Sequence, residues 1–295
     1  MHNLIIIYNL IIMILVIIIL IIFFTKLWYD RKYTKIPKEL FTDDKLFLWQ
    51  YWDNIDNNLT PAYINLCMKS VDKYCSNTFN IVRLNKDNII DYLPEINNYN
   101  LDNLLIAHKV DLYRMLLLYK YGGLYLDADV LVLRDPKEII DKLYNNDFVG
   151  FGCTGSICNN GYGYPSNWII ASRPNTELMK NIIKNISNKL RNQNNFEYHD
   201  LGKIIIWDEL NKLINNENYK YFHYPNKIDG SRDKNGAWVD SFRAFSNDKI
   251  EYDDENNMIF FVIYNSDIPK EIKNMSENDL LNKDWNFTRF VKKTF

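Results

Sequence analysis

Two carboxylates stand two residues apart inside an apolar run, Leu124-Tyr-Leu-Asp127-Ala-Asp129-Val-Leu-Val-Leu133. Read as one strand, the run sends alternate side chains to opposite faces. Asp127 and Asp129 then share a face with Tyr125, while Leu126, Ala128 and Val130 take the other. Aspartate is uncommon in strands, and a carboxylate is costly to bury unless a cation or hydrogen-bond donor compensates it. A pair of hard oxygen donors suits Mn2+ or Mg2+, ions that keep coordination sites open for water and substrate phosphates. The competing reading ends the strand at Asp127 and leaves both acids in water. The apolar residues Val130 to Leu133 argue against it.

A second acid and a cation precede this run. Ala107, Asp111, Arg114 and Leu118 follow helical spacing and share one face of a helix expected over Leu101 to Tyr121. An Asp–Arg pair three residues apart on a solvated face contributes only a few tenths of a kcal/mol. Here the helix stops at Gly122-Gly123, where a left-handed backbone is cheap, and the acidic strand follows at once. That order brings Asp111 and Arg114 to the end of the sheet that carries Asp127, the edge where open α/β sheets collect ligands.

The surrounding elements fit such a sheet. Phe47 to Tyr51, Ile81 to Leu84, Phe148 to Phe151 and Trp168 to Ala171 read as strands; Pro61 to Tyr74, Pro136 to Leu143 and Glu177 to Leu190 read as helices. Short strands alternating with helices predict an α/β fold. Residues 45–295 contain no repeat or low-complexity linker and parse as one catalytic domain. Residues 4–24 are almost wholly apolar and long enough for one transmembrane helix that anchors the chain in membrane lipid, with residues 25–44 as a polar stem. No basic start or small-residue cleavage site marks a signal peptide. Lys26, Arg31, Lys32, Lys35 and Lys38 follow the apolar segment, which by the positive-inside rule keeps the C-terminal part cytoplasmic. A secretory-pathway (Golgi-like) enzyme has the opposite topology, and the sequence leaves the two orientations open.

Bulk properties exclude some classes. The net charge is -2, which gives no basic surface for nucleic acid. No glycine-rich phosphate loop is present, which argues against a phosphotransferase or pyrophosphorylase built on the same acids. The four cysteines, Cys67, Cys75, Cys153 and Cys158, lack zinc-ligand spacing and read as buried or free thiols, with two disulfides as the alternative in an oxidising compartment.

The run Ala107-His-Lys-Val-Asp111-Leu-Tyr-Arg114, followed by Leu118-Tyr-Lys-Tyr-Gly122-Gly123-Leu-Tyr-Leu-Asp127-Ala-Asp129, resembles the signature of glycosyltransferases with a DXD motif. The resemblance is to glycosyltransferase family 32 and the capsular polysaccharide synthesis proteins, and more remotely to the clostridial glucosylating toxins. Weaker similarity extends over Leu48-Trp-Gln-Tyr-Trp52, Pro165-Ser-Asn-Trp168-Ile-Ile and His199-Asp-Leu-Gly202. It implies a GT-A-type, Rossmann-like mixed sheet flanked by helices. It also implies a nucleotide-sugar donor, usually a UDP-sugar, Mn2+ or Mg2+ as cofactor, a glycan, glycolipid or protein acceptor, and retention of anomeric configuration. By position, Asp111 and Arg114 match residues that hold the donor's ribose and sugar hydroxyls. Asp127 matches a donor- and metal-contacting acid, and Asp129 the direct metal ligand; these two are the expected catalytic acids. Trp52 matches the aromatic stacked on the nucleobase, with Trp49 close enough to compete. Many relatives carry a His near the C-terminus; the comparable stretch Phe261 to Asp267 has none, and Asn265, Ser266 or Asp267 could substitute, with His223 and Trp238 as more distant candidates that read better as structural. A non-catalytic nucleotide-sugar-binding protein of the same fold is the rival reading.

Overall fold

The computed structural model describes residues 45–54, 59–153, 164–214 and 219–295, together with the isolated helical positions Met13, Ile17 and Leu20. The expected anchor over residues 4–24 and the stem over 25–44 lie outside the described residues apart from those three positions. Among the described residues no helix is long and apolar enough to cross a membrane.

Six strands form the central sheet: β1 (Leu46–Tyr51), β2 (Phe79–Leu84), β3 (Gly123–Leu126), β5 (Phe148–Cys153), β6 (Tyr164–Ser172) and β7 (Tyr221–Pro225), in the order β2-β1-β3-β6-β5-β7. β1 pairs in parallel with β2 and with β3, and β5 in parallel with β7. β6 runs antiparallel to both β3 and β5. The sheet is therefore mixed and mostly parallel, as the alternation of elements predicts. Alternation also sorts the core. Phe47, Trp49 and Tyr51 of β1 and Tyr125 of β3 pack on one face; Leu48, Leu124 and Leu126 pack on the other.

The principal helices are α1 (Ala62–Cys75), α2 (Ile106–Tyr121), α3 (Lys137–Asn145), α4 (Glu177–Asn192) and α5 (Lys203–Ile214). α2 starts five residues later than its spacing suggests and is covered almost all round, every residue from Val110 to Leu118 being buried. That removes the solvated face on which Asp111 and Arg114 would have formed a surface pair. Gly122 ends the helix at φ 69° and Gly123 follows at φ 102°. A Cβ on Gly123 would stand 2.3 Å from the Phe47 carbonyl oxygen, so β1 and β3 meet closely only over glycine. Cys67 and Cys75 are buried free thiols.

The expected single strand Leu124 to Leu133 is corrected. β3 ends at Leu126, Asp127-Ala128-Asp129 makes a turn, and the chain restarts as β4 (Val130–Val132). β4 leaves the main sheet and pairs antiparallel with β8 (Phe260–Val262). The apolar run beyond the acids is thus a different strand, buried in a second small sheet, and not a continuation of the first.

Candidate active site

Both acids lie at the C-terminal end of β3, on the edge reached also by the C-terminal end of β1, because Trp49 and Tyr125 are in parallel register. The turn leaves both acids half-buried. The Asp127 amide donates to the Trp168 carbonyl at 2.8 Å, closing the turn against β6. Its carboxylate meets Arg114, with Nη1 3.1 Å from Oδ1. Arg114 is 5% exposed, and its Nη2 lies 3.4 Å from Oδ1 of Asp111, itself 3% exposed. The same guanidinium donates to the Asn167 carbonyl and lies over the Tyr125 ring at 4.6 Å. The Asn167 side-chain amide donates to Asp111 at 2.7 Å.

Asp129 is held from the far C-terminal side. Its Oδ2 accepts the Asn265 amide at 2.7 Å, and its carbonyl accepts the Ile263 amide at 3.2 Å. The Asn265 side-chain oxygen accepts in turn from the Tyr63 hydroxyl of α1.

Three carboxylates here face one guanidinium, a formal charge of minus two when all are ionised. The electrostatics register the excess. Burial, reinforced by Asp127, pushes Asp129 up to about 7 against the pull of the Asn265 amide. Burial also raises Asp111 to about 6, with Arg114 pulling it down and Asp127 pushing it up. Asp127 is raised by burial and opposed by Arg114. Burial draws the guanidinium down, but Asp127, Tyr125 and Asp111 outweigh it and hold its charge firmly. Hard oxygen donors carrying an uncompensated charge of two match a divalent cation. Among the described residues no group of three or more His, Cys, Asp or Glu is placed to hold a metal ion.

The signature of the capsular polysaccharide synthesis proteins matches residues 28–227, about two thirds of the chain. The chain belongs to that family. Its enzyme class is accordingly glycosyltransferase, as the Ala107 to Asp129 run implies. No curated protein matches it by sequence. Solved structures similar to it include the PaToxG glycosyltransferase (14% identity, TM-score 0.39, covering 63% of this chain and 76% of that one). Others are the apo-form glycosyltransferase GlyE of Streptococcus pneumoniae TIGR4 (17%, 0.40, 84% and 64%) and the bifunctional glycosyltransferase WbbM in its apo form (12%, 0.42, 86% and 52%). The chain spans less than two thirds of the length of the last two, and likenesses at these scores add nothing to the family assignment.

Within the family member, the site residues expected from sequence divide cleanly. Asp111, Arg114, Asp127 and Asp129 converge. Asn265 joins them through its backbone amide; Asp267 is exposed, two residues beyond. Trp49 is fully buried, with its indole N–H on the Gly122 carbonyl at 2.9 Å, and is closed to any ligand. Trp52, just past the end of β1 and half-buried, is the accessible one of the two. Three residues escaped the sequence reading. Asn167 buttresses Asp111. A Cβ on Gly202 would stand 2.7 Å from Asp111 Oδ2, so glycine alone lets the start of α5 approach. Tyr198, half exposed, is raised first by burial and then by the charges of Asp127, Asp111 and Asp129. The segments Pro165 to Ile170 and His199 to Gly202 carry family similarity, and that was the available signal.

Proposed function

We propose that this family member transfers a sugar from a nucleotide-sugar donor, a UDP-sugar by family resemblance, to a glycan acceptor, using Mn2+ or Mg2+ and retaining anomeric configuration. The observation that carries the reading is the Asp111–Arg114–Asp127 chain, its first two members buried and the third half-buried, set beside Asp129 at a sheet edge, with its excess of negative charge. Asp129 and Asp127 would hold the cation, and Asn265 is the neighbouring candidate for a further contact. When bound, the cation supplies positive charge where the departing diphosphate gains negative charge.

The protein's own residues do the rest. Arg114, fixed by two carboxylates and a ring, keeps Asp127 ionised and aimed along the turn. Asp111 and Asn167 form a polar floor suited to ribose or sugar hydroxyls. Trp52 offers an aromatic face for the nucleobase. Glycolipid or protein acceptors fit the same chemistry, and residues 4–24 would hold the enzyme at a membrane where such acceptors are built. The test is a donor screen: the full-length chain is incubated with a panel of nucleotide sugars and Mn2+, and nucleotide release is recorded with and without acceptor glycans. Release from one donor, lost in Asp129→Asn, supports the reading. Donor binding without release in any condition would demote the protein to a binding module.

A further inference from the structure

Three aromatic rings close a triangle beside the acids. Tyr264 stacks on Trp238 at 4.8 Å and 27°, and meets Trp168 edge-on at 5.2 Å; Trp168 and Trp238 are 5.9 Å apart. Two of the three vertices are tied to the acid pair through backbone. The Trp168 carbonyl accepts the Asp127 amide, and Tyr264 is followed by Asn265, whose amide binds the Asp129 carboxylate. The polar ends of these rings turn inward, the Tyr264 hydroxyl toward Ser231 and the Trp168 indole nitrogen toward the fully buried Asp229.

The third vertex touches neither acid. Trp238 is 39% exposed and is held by its own loop: Arg232 bridges it through backbone and lays its guanidinium over the ring at 5.3 Å, and the Trp238 carbonyl accepts from Arg243 at 2.9 Å. The Asn265 amide is held on Asp129 by the Tyr63 hydroxyl on the Asn265 side chain, by the Ile263 amide on the Asp129 carbonyl and by the packing of Tyr264. The partly exposed Trp238 ring is stacked on Tyr264 and also meets Trp168.

We propose that Trp238 is a positioning residue: it clamps Tyr264 against Trp168, and so holds the Asn265 amide on Asp129 and sets the orientation of the two acids toward a divalent cation. The inference rests on the cation reading of the site. Removing the ring gives up the Arg232 stacking but leaves the backbone bridge to Arg232 and the Arg243 bond to the Trp238 carbonyl in place, so Trp238→Ala retains the fold. Two aromatic contacts of ordinary strength correspond to about a ten-fold change in affinity.

The test uses the full-length chain without nucleotide. Free Mn2+ is measured by electron paramagnetic resonance during titration of wild type, Trp238→Ala, Trp238→Phe, Phe242→Ala and Asp129→Asn. Amide exchange of the 260–268 segment is followed by mass spectrometry with no metal present. Trp238→Ala is expected to bind Mn2+ about ten-fold more weakly and to exchange faster in that segment. Trp238→Phe restores most of both. Phe242→Ala, which removes a neighbouring ring that is 66% exposed, changes neither. In turnover assays the Mn2+ requirement of Trp238→Ala rises while kcat at saturating Mn2+ stays near wild type. Wild-type Mn2+ affinity in Trp238→Ala, with or without faster exchange, overturns the positioning role. Absence of Mn2+ binding in wild type overturns the cation reading and this inference with it; binding by wild type that is lost only in Asp129→Asn sinks the inference alone.

Discussion

Arg114 joins Asp127 to Asp111 across two elements, with one nitrogen 3.1 Å from the first carboxylate and another 3.4 Å from the second. Both the arginine and Asp111 are buried, so the pair that the sequence alone could cast as a surface i,i+3 contact is an interior charge chain. Removing one member of a buried ion pair leaves an uncompensated charge and is strongly destabilising. Arg114→Ala is therefore expected to lower unfolding free energy by about 3–5 kcal/mol as well as abolishing turnover. Arg114→Lys keeps the charge without the fork and recovers part of each. Urea unfolding alongside donor turnover checks this; a fully stable Arg114→Ala would remove the triad from the fold's architecture.

Asp129 behaves in the opposite way. Burial and the charge of Asp127 disfavour its ionised form, and its single described hydrogen bond to Asn265 is to one oxygen. Asp129→Asn keeps an oxygen to accept that bond and removes the repulsion. The metal-free variant is expected to melt no lower than wild type while losing Mn2+ binding and transfer. Calorimetry of metal-free protein paired with nucleotide release decides it, and a variant with wild-type turnover would be incompatible with the assignment.

The two tryptophans near β1 have different jobs. Trp49 lies wholly inside the core, between Phe47 and Tyr121. Trp49→Ala should cost about 3–5 kcal/mol of stability through the cavity it leaves. Trp52→Ala should leave the melting temperature within a few degrees of wild type and raise the donor KM. Equal effects of the two substitutions on KM at unchanged stability would contradict this division.

Asp229 contributes to stability a share that falls as pH rises through the acid range. Burial pushes its carboxyl up to about 6, against the Ser231 amide and hydroxyl that donate to it at 2.9 and 2.6 Å. The unfolded value is about 3.9. The folded chain thus holds the proton more tightly, so this group favours folding below about pH 4, loses that contribution as pH rises to about 6, and adds no slope above. Two units correspond to roughly 3 kcal/mol. Asp111 and Asp129 slope the same way, so the comparison is of wild type with Asp229→Asn, whose urea midpoint should fall less between about pH 4.5 and 6.5. Parallel curves would show that Asp229 does not titrate in this range.

Gly123 allows the close meeting of β1 and β3. Gly123→Ala combines a positive φ with a Cβ against the Phe47 carbonyl and is expected to destabilise the fold by at least about 2 kcal/mol. Denaturant unfolding of the purified variant measures it directly, and a loss under about 0.5 kcal/mol would mean that the sheet gives way locally.

The sequence by itself determined the α/β class, the glycine stop before β3, the membership implied by the Ala107 to Asp129 run, and the identity of four converging residues. These are local signals: short apolar runs in β1 and β3, helical spacing in α2, and a glycine pair where a left-handed backbone is needed. Tertiary structure alone decided how the acids are presented. The two aspartates allowed the strand to end at Asp127, but nothing in the run Leu124 to Leu133 says that Val130 to Val132 leave the sheet, because an apolar strand has the same pattern whether it stays in one sheet or crosses to another. The break exists because Val130 to Val132 find their partner in Phe260 to Val262, far along the chain. The same long-range pairing brings the Asn265 amide to Asp129, and packing of β6 and the start of α5 brings Asn167 and Gly202 to Asp111. Such contacts are set by which buried surfaces and backbone groups satisfy one another across the whole domain, and neither side-chain period nor residue type records them in advance.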